Sequence, residues 1–366
     1  MTESANLDSL QSRTVEWLRY PLMVLIVIIH TDTTLLNSMP HAGISSVLYY
    51  ILRTIIRLAV PMFFIISGYW FFRQPETFTL DAYLQKLKKR ARTLLVPYLF
   101  WNLFAWALHV INALLHGYYP KALPEIDIFF GFGAGYCGMP GAFQLWFLRD
   151  LMVVCLLSPL LYLLLRGRRP WVLLLFAALY IMPWPAGWHP ILMRSPSALL
   201  FFSIGAYLGI HKMNMVETVR RVPLWLSLSV PTLVMVCHVW LNMIYSPLYI
   251  YAEKIFGIVA VVPTLQVAAM LVERKNVQPI GWLSGSTFLL FATHPLVMNY
   301  LLVQPIGDSL APTQCHFWLV LAAEVLLSIA VCALVHAICS RLLPRTAAFL
   351  TGGRAKRQSK SFADIP

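Results

Sequence analysis

The sequence predicts an all-α polytopic membrane protein of about ten transmembrane helices, with both termini in the cytoplasm. Three observations carry that prediction. Of 366 residues, 59% are hydrophobic, 13% aromatic and only 12% charged, which lies outside the range of soluble domains. Apolar stretches long enough to cross a bilayer recur along the chain. Basic residues cluster in every second connection, the pattern of a positive-inside topology.

The apolar stretches cover residues 20–36, 47–72, 94–115, 144–165, 170–184, 197–211, 223–242, 254–272, 286–304 and 316–340. The polar leader Met1–Ser12 has no early basic region, and no small-residue cleavage site follows, so the first stretch reads as a retained span. The fifth and sixth fall short of the roughly 20 residues that a straight crossing needs. Pro183, Pro185, Pro190 and Pro196 lie between them, so one of the two is expected to be tilted, broken or re-entrant. Leu80–Arg92 sets Leu80, Tyr83, Leu84 and Leu87 at helical spacing opposite basic residues, an interfacial amphipathic helix leading into the third span. The glycine-rich segment 131–140 reads as an outward loop, with neither the lysine nor the preceding strand of a phosphate loop.

The net charge is +13, and 22 of the 28 Lys and Arg residues lie before span 1, after every even-numbered span, or in the tail. Topology and attraction to anionic lipid account for that distribution, and a nucleic-acid partner is not indicated. Residues 1–345 form the transmembrane domain and 346–366 a basic cytoplasmic tail, expected to be disordered. Six cysteines carry no metal spacing; Cys137 and Cys315 both fall in outward loops, where a disulfide is chemically permitted.

Titratable residues inside spans are costly and ask for an explanation. Here they are His30, Asp32, Arg53, Arg57, Arg149, Asp150, His294 and Glu324. Arg149, Asp150 and Glu324 are equally readable as structural pairs, and His109, His238 and His336 as satisfied core histidines. Arg19 precedes His30 by eleven residues, which puts both side chains on one helix face about 16 Å apart in depth. A cation at the interface holds phosphate while an imidazole deeper in handles a proton, a geometry suited to a long phosphorylated donor.

The first span, from Arg19 to His30, resembles the Arg-x10-His signature of the membrane acyltransferase-3 family. The resemblance continues through Arg57, Pro61, Phe63, Ser67, Gly68 and Tyr69 in the second span. It extends to Lys89, Arg92, Pro97 and Tyr98, where lysine replaces the first arginine of a basic motif and loses its bidentate geometry. Trp146, Phe147 and Arg149, the glycines Gly205 and Gly209, and His294 with Pro295 complete it, over residues 13 to about 300.

Membership in that family implies transfer of an acetyl or other short acyl group from cytoplasmic acyl-CoA. The acceptor is then a hydroxyl of a surface carbohydrate or its lipid-linked precursor, at the bacterial inner membrane. The lack of an appended domain resembles the enterobacterial common antigen and lipopolysaccharide O-acetyltransferase type. The implied donor site comprises Arg19, Lys89 and Arg92. The implied catalytic set is His30, as general base or transient acyl carrier, with Arg57 and Arg149 polarising the thioester or holding an anionic sugar. Ser67, Tyr69, Trp146, His294 and Glu324 are expected to line the cavity, with Ser67–Gly68 also readable as a close-packing site. No metal is implied. The rival class is a transporter or flippase of a lipid-linked glycan, which needs neither Arg19 with His30 nor the cytoplasmic basic motif.

Overall fold

The computed structural model describes residues 2–35, 43–73, 78–117, 129, 139–183, 196–274, 277, 281–297 and 314–351. All regular structure among them is helical. The chain forms two compact units, one of residues 1–74 with 201–334 and the other of 75–200 with 335–366.

In the first unit, α1 (Thr2–Leu35) is a single helix of 34 residues, far longer than the apolar stretch that begins at Tyr20. Its polar first half is held by packing: Leu10 is buried in a cluster with Val216, Ala269 and Val272, against which Trp17 lies. Asp8 accepts two hydrogen bonds from Arg73 Nη2 (3.0 and 3.1 Å), and Gln11 Nε2 donates to the Tyr69 hydroxyl at 2.9 Å. The second apolar stretch divides into α2 (Ile44–Ile56) and α3 (Ala59–Phe72) around Arg57 and Leu58. Pro61 has no N–H to give the Arg57 carbonyl, so the helix ladder is interrupted there.

α3 packs tightly on α9 (Ser197–Ile210) because glycines face backbone on both sides. A Cβ at Gly68 would strike the Phe202 carbonyl, and one at Gly205 the Ile65 carbonyl. Gly68 therefore serves close helix approach, as small residues do inside membranes. The unit continues with α10 (Met215–Arg220), α11 (Leu224–Met243), α12 (Tyr249–Val259), α13 (Val261–Arg274) and α14 (Gly281–Val297). α15 (Gln314–Leu342) contributes its residues through Leu334. α1 lies along α13 and α14, and α2 along α11.

In the second unit, α4 (Leu80–Arg90) is the amphipathic helix expected from the sequence. Thr79 caps it by accepting from the Ala82 N–H at 3.2 Å, Asp81 occupies the first turn, and Lys88, Lys89 and Arg90 the last, matching the helix dipole. A π-turn at Ala91–Leu95, where the Thr93 hydroxyl donates to the Lys89 carbonyl at 3.0 Å, carries the chain into α5 (Val96–Leu115). α6 (Trp146–Leu156) and α7 (Ser158–Leu165) follow a 3₁₀ turn and bend by 60° from each other at Ser158–Pro159. The bent pair occupies the stretch read as a span at 144–165. α8 (Trp171–Ile181) and α16 (Pro344–Leu350) complete the unit. α16 corrects the disordered tail expected from 346: the segment through Leu350 is helical, and Trp101 Nε1 donates to the Leu350 carbonyl at 3.2 Å.

Among the described residues, five helical segments are long and apolar enough to cross a membrane: Ile44–Phe72, Leu80–Leu115, Leu224–Met243, Tyr249–Arg274 and Phe317–Leu342. The bent pair α6–α7 makes up to six, and the two short apolar helices Trp171–Ile181 and Ser197–Ile210 fall where the sequence places its two short stretches. The count of about ten and the cytoplasmic placement of the termini stay expectations. The loop at 131–138, the Asp32 side chain and the Cys137–Cys315 pairing lie outside the described residues.

Candidate active site

The first unit brings two of the expected site residues together. The rings of His30 on α1 and His294 on α14 are 5.1 Å apart between centroids and tilted by 31°. His294 is fixed by its own helix: Nδ1 lies 2.8 Å from the Leu290 carbonyl. A carbonyl only accepts, so Nδ1 carries the proton and Nε2 is left as a lone pair. The residue is 0% exposed, and Nε2 has no hydrogen-bond partner among the described residues. A buried acceptor left open in this way costs free energy unless something else fills it.

A polar stripe runs along α15 in the same unit. Glu324, 6% exposed, has its Oε2 buried without a partner among the described residues, as does the hydroxyl of Ser328 one turn later. One turn further, Cys332 Sγ lies 3.1 Å from the hydroxyl of Thr293, the neighbour of His294. The stripe thus joins α14 beside the histidine pair.

Depth in this unit follows from α1. Asp8 pairs with Arg73 at the end that also carries Lys212, Arg220 and Arg221, whereas Ile28 packs near the other end against Tyr49, Phe317 and Leu321. His30 is 22 residues beyond Asp8, about 33 Å, and Arg19, an exposed residue, lies about halfway. His30 therefore sits toward the end of α1 away from the basic residues. A cavity of about 310 Å³ opens at the basic end, lined by Asp8, Arg73, Lys212, Asn214, Glu217 and Arg221 among others.

Tyr69 lies away from the histidine pair. Tyr69 is fully buried at the basic end, tied through Gln11 to the N–H of Met215 (2.6 Å), and Gln11 is 19 residues, about 28 Å, along α1 from His30. Tyr69 packs among the helices there.

Arg57 is engaged at the α2–α3 break. Its Nε lies 3.3 Å from Glu253 Oε1 on α12, an ion pair without the alignment of a hydrogen bond. The second carboxylate oxygen is 3.9 Å from His238 Nε2, and the Thr54 hydroxyl is 2.7 Å from His238 Nδ1. Sequence reasoning missed Glu253 and set His238 aside; an acidic residue just before an apolar stretch is the signal that marks the first.

Arg149, Trp146, Lys89 and Arg92 belong to the second unit. Arg149 donates from Nε and Nη2 to one oxygen of Asp150, at 3.1 and 3.0 Å, and both residues are buried. The contact is the ion pair that one reading of the sequence expected. Trp146 is half-buried one turn earlier on the same helix, and Lys89 and Arg92 are exposed. Cys155, Cys237, Cys332 and Cys339 are free thiols, and no metal-binding cluster occurs among the described residues.

A helical membrane protein in which a half-buried imidazole meets a fully buried one has the groups that acyl transfer needs. The chain matches the acyltransferase domain family of the acyltransferase-3 type over residues 13–337, and it belongs to that family. It is similar to the succinoglycan biosynthesis protein ExoH of Rhizobium meliloti (strain 1021), 31% identical over 320 residues that cover 84% of this chain and 82% of that protein. No solved structure matches it.

Proposed function

We propose that the chain moves an acetyl or other short acyl group from cytoplasmic acyl-CoA to a hydroxyl of a surface carbohydrate or its lipid-linked precursor, in the bacterial cytoplasmic membrane. The observation that carries this reading is the contact between His30 and a fully buried His294 whose Nε2 is open. Similarity to a succinoglycan biosynthesis protein supports a glycan acceptor.

His30 takes the proton of the acceptor hydroxyl as its oxygen attacks the thioester carbonyl. The new C–O bond forms, the C–S bond breaks, and the CoA thiolate leaves with the proton from the imidazolium. In the carrier route His30 first takes the acyl group itself, the C–S bond breaking at that stage, and the open Nε2 of His294 then accepts the hydroxyl proton. Glu324 and Ser328, whose open polar atoms face the interior, line the acceptor's path.

The donor's phosphates are assigned to Arg19. An extended pantetheine arm covers about the 16 Å that separate Arg19 from His30 along α1. The 310 Å³ cavity beside Asp8 is twice as far from His30, too far for phosphates held there to leave the thioester at the histidine. Lys89 and Arg92 add long-range attraction for an anionic donor.

Purified protein incubated with radiolabelled acetyl-CoA and a surface-glycan extract is expected to move label onto glycan. His30→Ala, inserted and folded, is expected not to. Label retained on the protein after an acid quench selects the carrier route. Donor consumption unchanged in His30→Ala contradicts both routes.

A further inference from the structure

The Arg57–Glu253 pair and the groups behind it have no part in the chemistry just described, yet they are poorly placed for a purely structural role. Arg57 lies 13 residues after Ile44 and 15 before Phe72, near the middle of a 29-residue span, and its side chain is 40% exposed. Charge exposed to hydrocarbon at that depth is expensive, so the open side of the pair faces water or a polar ligand.

The hydrogen-bond directions define what that ligand looks like. The Thr54 hydroxyl donates to the Tyr50 carbonyl at 2.6 Å, so its oxygen accepts from His238 Nδ1–H. His238 Nε2 is then a lone pair, facing Asn242 Nδ2 at 3.1 Å, and donates nothing to Glu253. Glu253 Oε2 consequently accepts no hydrogen bond from the described residues, and the two Nη groups of Arg57 donate none to them. An open acceptor thus stands beside an open donor fork. Tyr249, one helical turn before Glu253 and 6.1 Å from the His238 ring, adds an aromatic wall. Aromatic surface with a few convergent polar groups is the makeup of a small-molecule site. Arg57 and Glu253 offset each other at the contact itself, and a donor fork beside an open acceptor matches two adjacent hydroxyls.

We infer that Arg57, Glu253 and Tyr249 form a subsite for a neutral sugar ring, Arg57 donating to one hydroxyl and Glu253 accepting from its neighbour. The inference rests on the reading of this protein as a glycan acyltransferase and gives Arg57 to the acceptor rather than to the thioester. Arg57 is eight residues past Tyr49, and His30 two past Ile28, which packs on the Tyr49 cluster. The subsite and the histidine therefore differ by about 15 Å in depth. An acceptor that fills both is longer than one sugar ring.

Saturation-transfer NMR tests this on the full-length protein in detergent, without donor, using methyl β-D-glucopyranoside and, separately, D-glucuronate. Transfer to the glucopyranoside is expected with wild type, and a loss of at least about fivefold in Glu253→Gln and in Tyr249→Ala. Glu217→Gln, at the basic end, is expected to keep the signal. Arg57→Lys serves as a further variant should Glu253→Gln fail to fold, and it is expected to lose signal as well. Absent transfer in wild type, equal transfer in the variants, or a stronger signal from glucuronate overturns the inference. Because no donor is present, these outcomes are independent of whether His30 performs acyl transfer.

Discussion

The His30–His294 pair, in which His294 is buried, and the fully buried Arg149–Asp150 pair are both polar contacts inside apolar helices, but they are satisfied to different degrees. Arg149 spends two N–H groups on one oxygen of Asp150, its neighbour in sequence, so each charge meets its counter-charge on the same helix. The histidine contact joins helices 264 residues apart and leaves Nε2 of His294 open. A closed pair contributes to folding, whereas an open one is a place for a substrate. The same distinction separates Tyr69, closed by Gln11, from Glu324, whose Oε2 is open.

That contrast yields predictions of decreasing size. Asp150→Asn leaves a buried guanidinium without its counter-charge, and denaturation of the purified protein is expected to show a loss of about 3–5 kcal/mol. His294→Asn keeps a donor for the Leu290 carbonyl and removes the open lone pair. Acyl transfer is expected to fall about 10² fold while the thermal midpoint hardly moves. A midpoint that collapses would make His294 a structural residue like Arg149. Gly205→Ala drives a methyl into the Ile65 carbonyl, and thermal unfolding is expected to report about 1–3 kcal/mol from that overpacking. Thr79→Ala removes the cap of α4 for about 1 kcal/mol, visible as a small shift in the same measurement.

Part of this was legible in the sequence. The stretches read at 223–242 and 316–340 match α11 and α15 closely, because a long uninterrupted apolar run fixes both the type and the extent of a helix. The start of α1 was not, since Thr2–Arg19 is polar and is held helical by contacts with Val216, Ala269 and Val272 that are distant in sequence. The bend at Ser158–Pro159 escaped because hydropathy does not change across it. At the site, the Arg19–His30 spacing is local and readable, but no local pattern announces that His294 meets His30. Glu253 escaped for the same reason, since its partner Arg57 lies 196 residues earlier.

The most direct test sets the two pairs against each other in one assay. Acyl transfer from acetyl-CoA per folded molecule is measured for His30→Ala and for the double variant Arg149→Met with Asp150→Leu. The account predicts a loss of about 10²–10⁴ fold in His30→Ala at an unchanged thermal midpoint. It predicts near-normal transfer in the double variant, where apolar residues replace a closed ion pair. Transfer retained in His30→Ala, or abolished in a stably folded double variant, would contradict it.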